Sequence, residues 1–290
     1  WTARELLGAS ATQQKFLRGA AVVGVVMAVA AMFQQALGDS VTAAGLLPGY
    51  FGTFVYRNQF AAFLEALLPV AIVAAIDDRR RAVPWIGAAA AMFAGIVAAG
   101  SRTGVVISLA LLVAVPAAAS LRGSIPRVAL VRLSAAVLLC AAVLTAVAGW
   151  ETVWARFQEP QPYSLRAELV QSTAAMIAER PLTGFGLGAW PVAYPAFARF
   201  DDGSFVNQAH NDWMQWAAEG GLPMFLLMLW IVVRAVPAAT RSLWGLGILA
   251  VFVHALVDYP FGQRPALAAF FFVLLGIISA ERSGRADTAK

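Results

Sequence analysis

The chain has 290 residues, 60% of them hydrophobic and 13% charged, with a formal net charge of +5 and a mean hydropathy of +0.72. Soluble domains carry roughly 25% charged residues, so this composition excludes one large soluble core and indicates an all-α polytopic membrane protein. The basic excess is then a question of membrane side and not a nucleic-acid signal. Cys140, inside an apolar run, is the single cysteine, which excludes an internal disulfide and a cysteine metal cluster.

The sequence opens at Trp1 rather than Met, which fits a fragment with further spans upstream. Its first apolar run is too long for a cleaved signal peptide. About eight spans near the roughly 20 residues a bilayer needs are expected at 16–37, 59–76, 83–100, 104–120, 128–149, 222–237, 242–258 and 265–281. They divide the chain into a five-span membrane domain (1–149), a long polar loop with short helices (150–221), a three-span membrane domain (222–281) and a tail (282–290). Ser101-Arg102-Thr103 forms a tight hairpin between the third and fourth spans. Dense alanines (88–91, 98–99, 117–119) suit close helix packing in lipid.

With the N-terminus inside, every inner segment is basic: Arg4, Lys15 and Arg18; Arg79 to Arg81; Arg122, Arg127 and Arg132; Arg234 and Arg241; Arg282, Arg285 and Lys290. That is the positive-inside pattern, and it puts the long loop outside. Within the loop, Pro160 to Ser164 is a breaker and Ser164 can cap a helix from Leu165 to about Arg180. Gly184-Phe185-Gly186-Leu187-Gly188 reads as a flexible turn. A second helix is expected from about Asn211 to Glu219, ended by Gly220-Gly221. Residues 38–58, rich in glycine and aromatics, lie on the interface or partly re-enter.

This topology gathers Arg57, Arg102, Arg166, His210, Asp258 and Arg264 on the outer face. Arginines at span ends either snorkel to headgroups or bind an anionic group. For Arg102 in its short hairpin, with Ser101 beside it, binding is the stronger reading. Guanidinium groups suit phosphate, and two of them can stabilise a departing diphosphate without a metal ion. His210 can accept a proton from an attacking hydroxyl; its alternative is a helix N-terminal residue bonded locally to Asn211 or Asp212. His254 and Asp258, four apart on one helix face, read as a structural pair. The Gly184–Gly188 run is no dinucleotide fingerprint, since no strand precedes it. Asp201-Asp202-Gly203 reads as a solvated turn before a divalent-ion site. Trp190, Tyr194, Trp213 and Trp216 form an interfacial belt or stack on sugar rings.

In order along the chain stand Tyr56-Arg57-Asn58-Gln59-Phe60-Ala61, Ser101-Arg102-Thr103-Gly104, Arg166, Glu179-Arg180-Pro181-Leu182-Thr183-Gly184, His210-Asn211-Asp212 with Glu219-Gly220-Gly221-Leu222-Pro223, and His254-Ala255-Leu256-Val257-Asp258-Tyr259-Pro260. In that order they resemble the O-antigen ligase and polymerase family of bacterial polysaccharide assembly. The resemblance implies a metal-independent, inverting glycosyltransferase without cofactor in the bacterial inner membrane, its large loop and active site facing the periplasm. It implies an undecaprenyl-diphosphate-linked glycan donor, a lipid A–core or glycan acceptor, the lipid bilayer as partner, and no nucleic acid. Catalytic roles pass to His210, Arg102 and Arg166, which match the family's essential positions. Arg57, Asn58, Ser101, Asn211 and Arg264 are expected to bind substrate. The chain departs from the family's frequent Asn-x-Asn-His-like run at Arg57-Asn58-Gln59. A transporter or flippase for a lipid-linked or anionic solute is the reading from another class. It calls for polar or broken helices at the bilayer midplane, where Glu65 is the clearest charge in the spans.

Overall fold

The computed structural model describes residues 10–37, 54, 56–148, 154, 158, 164–199, 205–262 and 265–287. Among these every regular element is a helix. We number them α1 (Ser10–Leu37), α2 (Arg57–Asp77), α3 (Ala82–Ala98), α4 (Arg102–Leu121), α5 (Arg127–Ala148), α6 (Ser164–Glu179), α7 (Trp190–Ala193), α8 (Asp212–Ala239), α9 (Leu246–His254) and α10 (Pro265–Asp287). Short 3-10 turns at Arg79–Arg81, Tyr194–Ala196 and Leu243–Gly245 join some of them.

Among the described residues six helices are long and apolar enough to cross a membrane: Ala11–Gln35, Arg57–Asp77, Arg79–Ala98, Arg102–Leu121, Arg127–Ala146 and Asp212–Ala239. Two shorter apolar helices, Leu243–His254 and Ala266–Ala280, stand where the last two spans are expected. The protein is therefore an all-α polytopic membrane protein. Several boundaries differ from expectation. The helix expected at 222 starts ten residues earlier, at Asp212. The one expected to end at 258 stops at His254, and the last continues to Asp287.

Helix α2 is the axis of the bundle. Phe60, Leu64, Leu67, Leu68 and Ile72 are all under 2% exposed, and α1, α3, α4 and α9 pack around them. Small residues allow the close approaches: a Cβ on Gly104 of α4 would stand 2.8 Å from Ala61 of α2. Burying α2 on all sides removes its periodicity, so it reads as a continuous apolar run.

Short connections reverse the chain between α2 and α3, α3 and α4, and α4 and α5, so the bundle has two distinct ends. At one end the turns are basic. Arg79 to Arg81 lie there, and the Arg122 guanidinium donates to the Arg241 carbonyl at 2.6 Å and also to the Thr240 carbonyl. At the other end lie the starts of α2, α4 and α8 and the polar loop.

The loop has its own small core of Leu169, Met176, Trp190, Tyr194, Ala209 and Ala218. Glu168 is its polar centre, accepting from Ser172 Oγ at 2.6 Å, Tyr194 Oη at 2.7 Å and the Arg199 amide at 3.1 Å. Burial alone would raise the Glu168 carboxyl, but these donors outweigh it and hold the group below its ordinary value. The Trp190 indole stacks on Tyr194 at 4.6 Å. These two aromatics are therefore loop core, and neither is an interfacial belt nor a sugar platform.

The expected break at Gly220-Gly221 is present inside α8. Gly221 has φ 65 and ψ −167, a conformation that is essentially glycine-only. Its neighbour Leu222 donates its amide to the Pro181 carbonyl at 2.8 Å, and Pro223, which has no N–H to satisfy, restarts the helix. The Gly184–Gly188 run, expected to be flexible, is instead docked on this break. Phe185 and Gly186 donate their amides to the Ala218 and Glu219 carbonyls at 2.9 and 2.8 Å. The Glu219 carboxylate accepts from the Gly188 amide at 2.9 Å.

Candidate active site

The site forms where four segments meet: the start of α2, loop residues 207–211, the first turn of α6, and the connection 255–262 after α9. Local sequence explains each placement. Gln59, 1% exposed, donates its side-chain amide to the carbonyls of Tyr259 and Gly262 at 3.1 and 2.8 Å. Asp212 holds the same connection from α8: its amide donates to the Ala255 and Asp258 carbonyls, and its carboxylate accepts from the Phe261 amide at 2.9 Å. The connection is thus fixed from both sides, and Asp258 has one place to be.

Asp258 is 1% exposed and surrounded by donors. Arg166 Nη2 lies 3.0 Å from its Oδ2, and the Asn58 side-chain amide makes a short hydrogen bond to the same oxygen. The Tyr259 amide donates to Oδ1 at 2.9 Å. His210 Nδ1 is 3.5 Å from Oδ1. Asp258 lies beyond the end of α9. Burial pushes its carboxyl up, but His210 and then the charges of His254 and Arg166 outweigh this and hold it below its ordinary value. It is a carboxylate hub.

His210 has φ 53 and is the one non-glycine residue with positive φ among those described. Such a conformation costs of order 1 kcal/mol or more and persists where neighbours impose it. Both neighbours do. The Ala209 amide donates to Gln215 Oε1 at 3.1 Å, and Asn211 Oδ1 caps α8 by accepting from the Met214 amide at 3.0 Å. The ring sits edge-on to Tyr259 with centroids 4.9 Å apart. Tyr56, stacked on Tyr259 at 4.8 Å, places its hydroxyl 3.4 Å from His210 Nδ1. Burial, then repulsion from Asp258, push the Tyr56 phenol up to about 12, so it stays protonated. With Nδ1 facing Asp258 and Tyr56, Nε2 is the nitrogen left for substrate.

Of the expected residues, the structure brings His210, Arg166 and Asn58 together around Asp258. Both described hydrogen bonds of Asn58 are internal, to Asp258 and to Tyr56 Oη. Arg57 and Arg102 are the first residues of α2 and α4, and the Gly104–Ala61 contact sets those two helix starts side by side. Ser101 is 1% exposed and caps α4, its Oγ accepting from the Gly104 amide at 3.2 Å. Asn211 is the cap of α8. Arg264 lies outside the described residues, as do Asp201 to Gly203 and residues 38–53.

One reading is corrected. His254 does not pair with Asp258; its Nδ1 meets both oxygens of Glu65 at 2.9 and 3.0 Å. That correction frees Asp258 for His210 and Arg166, a role that sequence reasoning missed. Tyr56 was missed too. The signal for both was present in the Tyr56-to-Ala61 and His254-to-Pro260 runs, whose polar residues are the ones that meet.

Fold and site define a class: a polytopic helical membrane protein with an arginine- and histidine-bearing polar site at one end of its bundle. Residues 87–229 match the family model described as O-antigen ligase, a stretch that holds Arg102, Arg166 and His210. The match supports the O-antigen ligase family for this chain, and with it ligase- or polymerase-type glycan transfer in general. No curated protein and no solved structure matches it.

Proposed function

We propose that the protein transfers a glycan from an undecaprenyl-diphosphate carrier to an acceptor hydroxyl, lipid A–core or another glycan, at the periplasmic face of the inner membrane. The observation that carries this reading is the Asp258 hub, which orients His210 through Nδ1 and holds Arg166 beside it. In the reaction the acceptor oxygen attacks the anomeric carbon and its proton passes to His210 Nε2. The bond from that carbon to the diphosphate breaks with inversion, and the diphosphate leaves with the electron pair. Asp258 stabilises the imidazolium as it forms. Arg166 and Arg102, with the positive ends of α2 and α4, stabilise the charge that grows on the leaving group. The positive charge needed is supplied by the chain itself, and the proposal includes no metal.

A transporter reading wants broken helices and charge at the midplane. The described break, at Gly221, lies at the loop end of α8 and serves to dock the loop, and the ionisable groups inside the bundle, Glu65 and His254, are 0% exposed and paired with each other. Purified protein in liposomes, supplied with an undecaprenyl-diphosphate glycan and either lipid A–core or a second carrier-linked glycan, tests the proposal. His210→Ala, Arg102→Ala and Arg166→Ala are each expected to lose about 100-fold or more in kcat. Full activity in all three, or solute movement without transfer, would overturn it. The acceptor used separates ligase from polymerase.

A further inference from the structure

Glu65 and His254 are each 0% exposed, inside the apolar part of the bundle, and their side chains hydrogen-bond to each other. Ionisable groups at such depth are costly and default to function. His254 Nδ1 meets both Glu65 oxygens, while its Nε2 is buried without a hydrogen-bond partner among the described residues. A bare Nε2 fits the tautomer with its proton on Nδ1, donated to the carboxylate.

The pair lies on a direct line to the hub. His254 ends α9, and its carbonyl accepts the Val257 and Asp258 amides at 3.0 and 3.1 Å. Its side chain is held by Glu65, seven residues, or about two turns, after Asn58 on α2. Asn58 itself holds the Asp258 carboxylate. One helix therefore grips the 254–258 turn at both ends, by Asn58 above and Glu65 below. Gly247 fits this arrangement: a Cβ there would stand 2.9 Å from the Glu65 carbonyl, so α9 and α2 are in backbone contact beside the pair.

We propose that Glu65 and His254 are a positioning pair, which sets the height of the Asp258 turn against α2 and so the aim of His210 and Arg166. The proposal rests on the glycosyl-transfer reading for its effect on rate, but not for its effect on the turn. A displacement of the order of 1 Å at a reacting group can cost about 100-fold. The charge of Glu65 is not required, only an acceptor for Nδ1–H.

The test uses the full chain in lipid nanodiscs with Glu65→Gln, Glu65→Leu, the double variant Glu65→Leu/His254→Leu, and His210→Ala as a control. Thermal stability, hydrogen exchange of the 255–262 segment and kcat are read for each. Glu65→Gln, which keeps the acceptor, is expected within about threefold of the parent in kcat. Glu65→Leu loses stability, because it leaves a buried donor unpaired. The double variant regains stability, as apolar replacement of a buried pair commonly does, yet exchanges faster over 255–262 and turns over about tenfold or more slower. A merely structural pair would return rate and exchange together with stability, and that result overturns the proposal. Loss of activity in a stable Glu65→Gln also overturns it, in favour of a role for the charge. Retained activity in His210→Ala sinks the transfer mechanism instead, and the exchange measurement still decides the clamp.

Discussion

A carboxylate that accepts from Asn58, Arg166 and the Tyr259 amide, and lies 3.5 Å from His210, cannot become neutral without consequence for each of them. Asp258→Asn keeps the shape but turns half of the acceptor into a donor aimed at other donors. The variant is expected to fold, since Gln59 and Asp212 still hold the connection, and to lose about 100-fold or more in kcat because His210 is no longer held in one tautomer. Steady-state transfer with donor and acceptor varied separately checks this; a variant with parental kcat would remove Asp258 from the mechanism. At this scale the sequence was partly legible. His210, Arg102 and Arg166 could be picked out because lone cations and a histidine in an apolar chain have few bland uses. Asp258 could not be assigned. Its i, i+4 neighbour His254 offered a local partner, and only the α2–α9 packing shows that His254 is taken by Glu65.

At the scale of the element, α8 shows how a break in a helix becomes a docking point. Gly221 lies in a region of φ and ψ closed to other residues, and a Cβ there would run into the Leu182 backbone. Gly221→Ala is therefore expected to destabilise the loop by about 2 kcal/mol or more, freeing the Leu182–Gly188 run from α8 while leaving the bundle intact. Faster proteolysis between Pro181 and Trp190, with an unchanged helical circular dichroism spectrum, is the measurement. Unchanged proteolysis would mean that the contacts do not hold the loop. The glycines of this run were legible as a turn, but what the turn binds was not. Its partners are carbonyls and a carboxylate more than thirty residues away in sequence, a distance that periodicity does not reach.

At the scale of the molecule, the positive-inside pattern and the short reversals between α2 and α5 agree on two unlike ends, one lined by arginine turns and one by the polar site. Sidedness follows as an expectation. In a Cys140→Ser background, a membrane-impermeant thiol reagent should label Val192→Cys, which is exposed on the loop, in spheroplasts. Arg80→Cys in the basic turn should stay unlabelled until the membrane is opened; the reverse would invert the topology. The polytopic helical character and the order of the apolar helices were legible because hydropathy and helix length express the same bilayer constraint. Helix ends such as Asp212 and His254 were not, since capping and tertiary contacts set them.

The stretch 87–229 that matches the family contains the two arginines and the histidine assigned to the reaction. It contains neither Tyr56 and Asn58 before it nor Asp258 after it. On the proposed mechanism, the reactive groups and their partners Tyr56, Asn58 and Asp258 therefore lie in different parts of the chain. Exchanging this stretch between relatives would seat one protein's histidine against another's carboxylate, so the unit that can be transplanted with its chemistry intact runs at least from Tyr56 to Gly262.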